Sequence, residues 1–251
     1  MVLMVGQRPR TSLPVADPAR PGWAFAGIGY AFFRHPGYNP RRAQLQMTSV
    51  LPDDTFSAFF LAGGWSRRMG RNKALLEFSG RPLLAHLIEM VRPLVGRVAI
   101  AGSPEAYRHL GVEVLPDPVA GRGPVAGICA ALSASSTNWN LILACDLPYL
   151  TADFLRHLIR TAKPSAAQVV VPAPGDAYQP LAAAYHRDTL PVYESLLVSG
   201  YPKITEAYRE LRLRILTAEE LKPFDFGGRL FKNMNSAREY EEARAWWEGR
   251  P

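Results

Sequence analysis

Phe59-Phe60-Leu61-Ala62-Gly63-Gly64-Trp65-Ser66-Arg67-Arg68-Met69-Gly70-Arg71-Asn72-Lys73 carries a short apolar run directly into a loop of glycines and cations. An apolar run that stops at glycine reads as a buried strand, and glycine at its end lets backbone amides approach an anion with no Cβ in the way. Arg67, Arg68, Arg71 and Lys73 add positive charge, and no acidic residue falls between Gly64 and Lys73 to offset it. The layout suits a loop that holds phosphates. Two common phosphate loops fail on spacing. A Walker loop places lysine directly after its last glycine and a hydroxyl residue after the lysine, whereas Gly70 is followed by Arg71 and Asn72. A dinucleotide fingerprint needs Gly-x-Gly-x-x-Gly, which adjacent Gly63-Gly64 followed by Gly70 does not supply.

Outward from this loop, short apolar runs alternate with helix-period segments, the pattern of an α/β, doubly wound and mostly parallel sheet. Strands are expected over residues 58–61, 97–101, 112–115, 141–144, 168–171 and 181–185, and helices over 82–91, 125–132, 152–159, 193–197 and 237–246. Thr151 is the expected cap of the third helix, and Trp246-Trp247 the anchor of the last. In such sheets ligands sit beyond the carboxyl ends of the strands, where the glycine loop lies.

The chain of 251 residues is long enough for one such domain with an appendage. Its net charge of +7 invites a nucleic-acid reading. Residues 1–50, however, hold six arginines against Asp17 alone, so five of the seven charges sit there and the remainder is nearly balanced. That basic, proline-rich stretch is expected to be a disordered extension, with residues 51–251 forming the domain. Its apolar patch at residues 23–33 is too short to span a bilayer. Met47, just ahead of the first strand, is the expected native start. Cys129 and Cys145 are too few for a disulfide scaffold and lack metal-ligand spacing, so the expected compartment is a reducing one, the cytoplasm. The five histidines are scattered without ligand spacing.

Further carboxylates stand at strand ends. Leu141-Ile142-Leu143-Ala144-Cys145-Asp146-Leu147-Pro148 closes an apolar strand with one aspartate and a proline that stops the ladder. Asp146 reads either as a helix cap or as the carboxylate of a magnesium site, since that ion takes one or two carboxylates along with waters and substrate phosphates. Thr151 is the better cap. Asp117, between Pro116 and Pro118, ends the preceding strand in the same way and reads by itself as a turn former. Gly121-Arg122-Gly123-Pro124-Val125-Ala126-Gly127 is a second flexible loop leading into a helix.

The order Leu-Ala-Gly-Gly-x-Ser-x-Arg-Met-Gly-x-x-Lys closely resembles the signature of the MobA-like nucleotidyltransferases, the family that includes molybdenum cofactor guanylyltransferase. The resemblance covers residues 58–246 and extends to Cys145-Asp146-Leu147-Pro148, similar to the family's magnesium motif, and to Gly123-Pro124-Val125-Ala126-Gly127. Tyr178-Gln179-Pro180-Leu181 resembles the acceptor-side stretch, and Asn233-Met234-Asn235-Ser236 the string before the last helix, although each also reads as plain structure. The resemblance implies a Rossmann-like nucleotidyltransferase fold and transfer of GMP from GTP to molybdenum-molybdopterin, with release of diphosphate and Mg²⁺ as cofactor. Leu61, Ala62, Gly63, Gly64, Ser66, Lys73, Asp117, Gly123, Pro124, Gly127 and Asp146 would line the nucleotide site. Arg68, Lys73 and Asp146 would be catalytic, with Asp146 holding the metal. Implied partners are the two substrates, with transient contacts to molybdopterin-synthesis proteins or acceptor molybdoenzymes; neither nucleic acid nor membrane is expected. Ala62-Gly63-Gly64 is the form typical of guanylyltransferases, whereas cytidylyl relatives carry Ala-Ala-Gly. Ala101-Gly102-Ser103 stands where the family often has a guanine-reading asparagine, so the reaction type is better fixed than the base. A CTP-using enzyme of the same fold and a non-catalytic nucleotide- or cofactor-binding module are the competing readings.

Overall fold

The computed structural model describes residues 52–63, 72–116, 123–200 and 203–249. The expectations for residues 1–50 concern positions outside that set. Its strands are β1 (Asp53–Leu61), β2 (Glu77–Phe78), β3 (Arg81–Pro82), β4 (Val95–Ala101), β5 (Glu113–Leu115), β6 (Trp139–Ala144), β7 (Val169–Ala173), β8 (Ala182–His186) and β9 (Leu213–Thr217). The α-helices are α1 (Leu83–Val91), α2 (Pro104–Tyr107), α3 (Gly123–Ala134), α4 (Ala152–Ala162), α5 (Leu190–Val198), α6 (Ala218–Leu221) and α7 (Ala237–Glu248).

Seven strands make one sheet in the order β5-β4-β1-β6-β8-β7-β9. All its pairings are parallel except those of β8, which runs against both β6 and β7. The centre of the sheet reads as continuous apolar sequence because both faces are covered. On one face Phe56, Ala58 and Phe60 of β1 and Leu141 and Leu143 of β6 pack with Leu83 and Leu87 of α1 and Phe154 and Leu158 of α4. On the other, Phe59 and Ile142 pack with Val125 and Ile128 of α3 and Tyr193 of α5. The doubly wound, mostly parallel fold expected from the sequence is the fold observed.

Local chemistry explains the flanking elements. Thr151 accepts the Phe154 amide and caps α4, and Ser236 accepts the Glu239 amide and caps α7. Trp247 donates its indole N–H to the Pro148 carbonyl at 2.8 Å and meets the rings of Phe78 and His86. Trp246 meets Tyr149 edge-on. The tryptophan pair therefore fastens the last helix to the segment that follows β6.

Two features went beyond the sequence pattern. β9 adds an edge strand beside β7, and its Arg214 pairs with Glu220, which together with Thr217 forms the capping box of α6. Arg214 and Thr217 among its leucines and isoleucine reflect one-sided pairing, which dilutes the apolar signal of a central strand. The β2–β3 hairpin turns through Ser79 at φ 48° and Gly80 at φ 76°, the left-handed pair that a tight primed turn requires.

Candidate active site

From β1 the chain winds outward to β4 and β5, then crosses back to β6 on the other side of β1. The order of strands reverses between β1 and β6, and in open α/β sheets the crevice beyond the carboxyl ends at such a reversal is where ligands bind. Leu61, the last residue of β1, pairs with Ala144, the last of β6. The two segments that follow, Ala62-Gly63 and Cys145-Asp146, therefore leave the sheet at one level and side by side.

Lys73 enters this crevice from the far end of the glycine loop. Asn72 precedes it as the cap of a 3₁₀ turn (Lys73–Leu75), accepting the Ala74 amide at 3.1 Å. The Lys73 ammonium lies 3.6 Å from Asp146 Oδ2, with each side chain only 16% exposed. It donates to Asn235 Oδ1 at 2.6 Å. On the other side of the carboxylate, Asn233 Nδ2 donates to Asp146 Oδ1 at 3.3 Å, and the Asp146 carbonyl accepts the Met234 amide at 3.1 Å. The Asn233-Met234-Asn235 string is thus folded back onto the pair, while Ser236 caps the helix behind it. Asn233 and Asn235 touch the pair, and Ser236 serves the helix.

Burial pushes the Asp146 carboxyl above its ordinary range, although Lys73 and Asn233 pull the other way. Two effects oppose each other here, and desolvation of the buried carboxyl outweighs the attraction of Lys73 and the hydrogen bonds it receives. A carboxylate so undercompensated has a place for more positive charge. No group of three or more His, Cys, Asp or Glu that could hold a metal occurs among the described residues. One recessed carboxylate suits a magnesium ion that arrives with phosphate oxygens and waters as its other ligands, so the donor set fits that ion. The neighbouring Cys145 thiol is pushed up to about 12, first by burial and then by Asp146, and stays protonated.

Leu61, Ala62 and Gly63 stand at the end of β1. Gly127 of α3 faces Leu61: a Cβ there would lie 3.2 Å from both Leu61 δ-carbons, so the absence of a side chain lets the helix approach the strand end. Gly123 and Pro124 form the exposed first turn of α3. Gly64, Ser66, Arg68 and Asp117 lie outside the described residues. Beyond β6, the Ala144 amide donates to the Leu181 carbonyl at 2.7 Å, which brings Tyr178-Gln179-Pro180-Leu181 to the opposite border of the crevice. Lys203 and Arg229 are exposed.

Sequence reading gave Tyr107 no role. Its hydroxyl donates to the Ala62 carbonyl at 3.0 Å and accepts from Asn72 Nδ2 at 2.9 Å, joining the residues on either side of positions 63–71. Nothing local in the sequence announces a contact over 45 residues. The Asn72 cap was likewise not read from the sequence, although an asparagine directly before a helical turn is the signal that could have found it.

Residues 58–220 match the model of the MobA-like NTP transferase domain. A probable molybdenum cofactor guanylyltransferase of Flavobacterium johnsoniae is 32% identical over 75% of this chain and 96% of its own length. The molybdenum cofactor guanylyltransferase of Syntrophotalea carbinolica is 30% identical over 75% of this chain and 90% of its own. Among solved structures, molybdopterin-guanine dinucleotide biosynthesis protein A from Archaeoglobus fulgidus superposes with a TM-score of 0.68 at 24% identity, covering 76% of this chain and 98% of that one. That last likeness shows the fold.

Proposed function

Because the chain belongs to the MobA-like NTP transferase domain family, we propose that it is a molybdenum cofactor guanylyltransferase, transferring GMP from GTP to molybdenum-molybdopterin and releasing diphosphate. Relatives that share three quarters of this chain carry that activity in their names. The observation that carries the reading is the Lys73–Asp146 pair at 3.6 Å, set in the crevice where the strand order reverses. A phosphate oxygen of the acceptor attacks the α-phosphorus of the nucleotide. The bond from that phosphorus to the bridging oxygen breaks, and diphosphate leaves with the electron pair. Such a transfer is catalysed by positioning and charge neutralisation, and needs no nucleophilic side chain.

Leu61, Ala62 and Gly63 receive the base, while Gly64, Ser66 and Lys73 take the phosphates, with Asp117, Gly123, Pro124 and Gly127 completing the nucleotide site. Lys73, aimed by Asn235, and Arg68 stabilise the leaving diphosphate. Asp146, oriented by Asn233, would hold Mg²⁺, whose charge offsets that of the α-phosphate. The segment Tyr178-Gln179-Pro180-Leu181 borders the acceptor, and the product passes by transient contact to molybdoenzymes. We place the reaction in the cytoplasm, where Cys129 and Cys145, free among the described residues, stay reduced.

The test is to incubate purified protein, Mg²⁺ and molybdenum-molybdopterin with GTP or with CTP, and to identify the dinucleotide by mass. A guanine dinucleotide formed with stoichiometric diphosphate is the expected result. A cytosine product would move the chain to the cytidylyltransferases, and hydrolysis or binding with no dinucleotide from either would remove the transferase assignment.

A further inference from the structure

Tyr107 closes the short helix α2 and is 3% exposed, in contact with neither Lys73 nor Asp146 among the described interactions. Its ring fills the space beside Gly102. A Cβ at that glycine would come within 2.9 Å of Tyr107 Cε2 and 3.2 Å of the Ala62 carbonyl, so glycine at 102 and tyrosine at 107 are two parts of one fit. The Gly102 amide meanwhile donates to the Leu115 carbonyl, and the Ala62 amide to the Ala101 carbonyl, both at 2.9 Å. The wall behind Tyr107 is therefore fixed by the sheet itself.

From that wall the hydroxyl reaches two ways. Its proton lies within reach of the Ala62 carbonyl at 3.0 Å and of Asn72 Oδ1 at 3.1 Å, and its lone pair takes Asn72 Nδ2 at 2.9 Å. The hydroxyl thus engages both ends of the Asn72 amide group and holds it in place, while Oδ1 also accepts the Ala74 amide and caps the turn that carries Lys73. Burial pushes the Tyr107 hydroxyl up to about 12, so it remains a donor throughout the working pH range. The relay runs from the end of β1 through Tyr107 and Asn72 to the Ala74 amide in the turn that carries Lys73.

We propose that Tyr107 is a positioning residue for Lys73: by orienting Asn72 against the end of β1, its hydroxyl sets the direction in which the ammonium is presented to Asp146 and to the leaving phosphates. Gly102 is the companion position that makes room for it. This inference rests on the guanylyltransferase reading for its kinetic consequence, but not for its structural one.

The test uses the full chain as wild type, Tyr107→Phe, Asn72→Ala and the double variant. Phenylalanine keeps the ring in the Gly102 space and deletes only the hydroxyl. Tyr107→Phe is expected to lower kcat for guanylyl transfer roughly three- to tenfold, with KM for GTP shifting less than about twofold, as befits a lost contact that acts in the transition state. Because both residues act through one relay, the double variant is expected to be no slower than Asn72→Ala alone. An unchanged kcat in Tyr107→Phe, or losses that multiply in the double variant, would overturn the proposal, as would a lowered melting temperature with kcat intact. Labelling of Lys73 by an amine-reactive ester, followed by peptide mass spectrometry, reads the positioning without any turnover. It should quicken roughly threefold in Tyr107→Phe, and an unchanged rate would count against the relay even if the chain used another nucleotide. Wild-type protein that transfers no guanylyl group while Tyr107→Phe alters Lys73 labelling would sink the functional reading and leave this one standing.

Discussion

Lys73 stands 3.6 Å from Asp146, and yet the carboxyl holds its proton more tightly than an ordinary aspartate because burial outweighs one lysine. The pair is left with unmet demand for positive charge at the place where a metal-bound nucleotide would arrive. Its two members are expected to fail differently. Lys73→Ala should lower kcat by about 100-fold or more, as loss of a charge that acts on the leaving group does, and Lys73→Arg should recover only part of it because the guanidinium fork does not reproduce a point charge. Steady-state kinetics at saturating GTP check both.

The raised pKa of Asp146 sets a sign for the pH profile. Protonation removes the charge that faces Lys73 and the metal, so activity should fall on acidification, with the acid limb above the ordinary carboxylate range. Added Mg²⁺ competes with the proton and should move that limb to lower pH. A profile that ignores the magnesium concentration would separate the limb from Asp146. For folding, the native state binds this proton more tightly than the unfolded chain does. Its contribution therefore favours the fold below the unfolded pKa, and is lost as pH rises through the folded one.

The string ahead of α7 should divide by residue. Asn235→Ala removes the 2.6 Å acceptor of Lys73 and is expected to cost roughly tenfold in kcat with little change in melting temperature. Ser236→Ala removes the cap of α7 and should cost about 1 kcal/mol of stability with kcat nearly unchanged. Thermal melts run beside the kinetics distinguish the two.

Gly127→Ala introduces a methyl group 3.2 Å from both δ-carbons of Leu61. Leu61 has to shift or α3 has to back away, and either moves the end of β1. A loss of about 1–3 kcal/mol of stability and a raised KM for GTP are expected, measured by denaturant titration and initial rates.

The central strands were legible because residues buried on both faces form continuous apolar runs, and β1, β4 and β6 each end in one, at 58–61, 98–101 and 141–144. β8 was legible as a strand but not in its direction, since Ala182–His186 carries no mark of being antiparallel. β9 escaped notice because an edge strand need not exclude arginine. Asp146 stood out at the tip of one predicted strand and Lys73 as the close of the glycine loop that follows another, and the sheet brings the ends of those two strands side by side. Asn233 and Asn235 were ambiguous on paper because asparagine before a helix is also a cap; in the structure they contact Asp146 and Lys73, and Ser236 is the cap. Tyr107 was invisible, since its role depends on the space left by Gly102 and on two partners far away in the chain.

The most direct measurement is the magnesium dependence of diphosphate release from GTP in the presence of molybdenum-molybdopterin, for wild type and Asp146→Asn. Asparagine keeps the shape and the packing of the side chain and removes only its charge. Wild type should saturate with Mg²⁺, and Asp146→Asn should remain folded by melting curve yet lose that dependence together with at least about 99% of the rate, as loss of roughly 2.7 kcal/mol of transition-state stabilisation requires. An Asp146→Asn variant that turns over GTP at the wild-type rate with an unaltered magnesium curve would contradict the account.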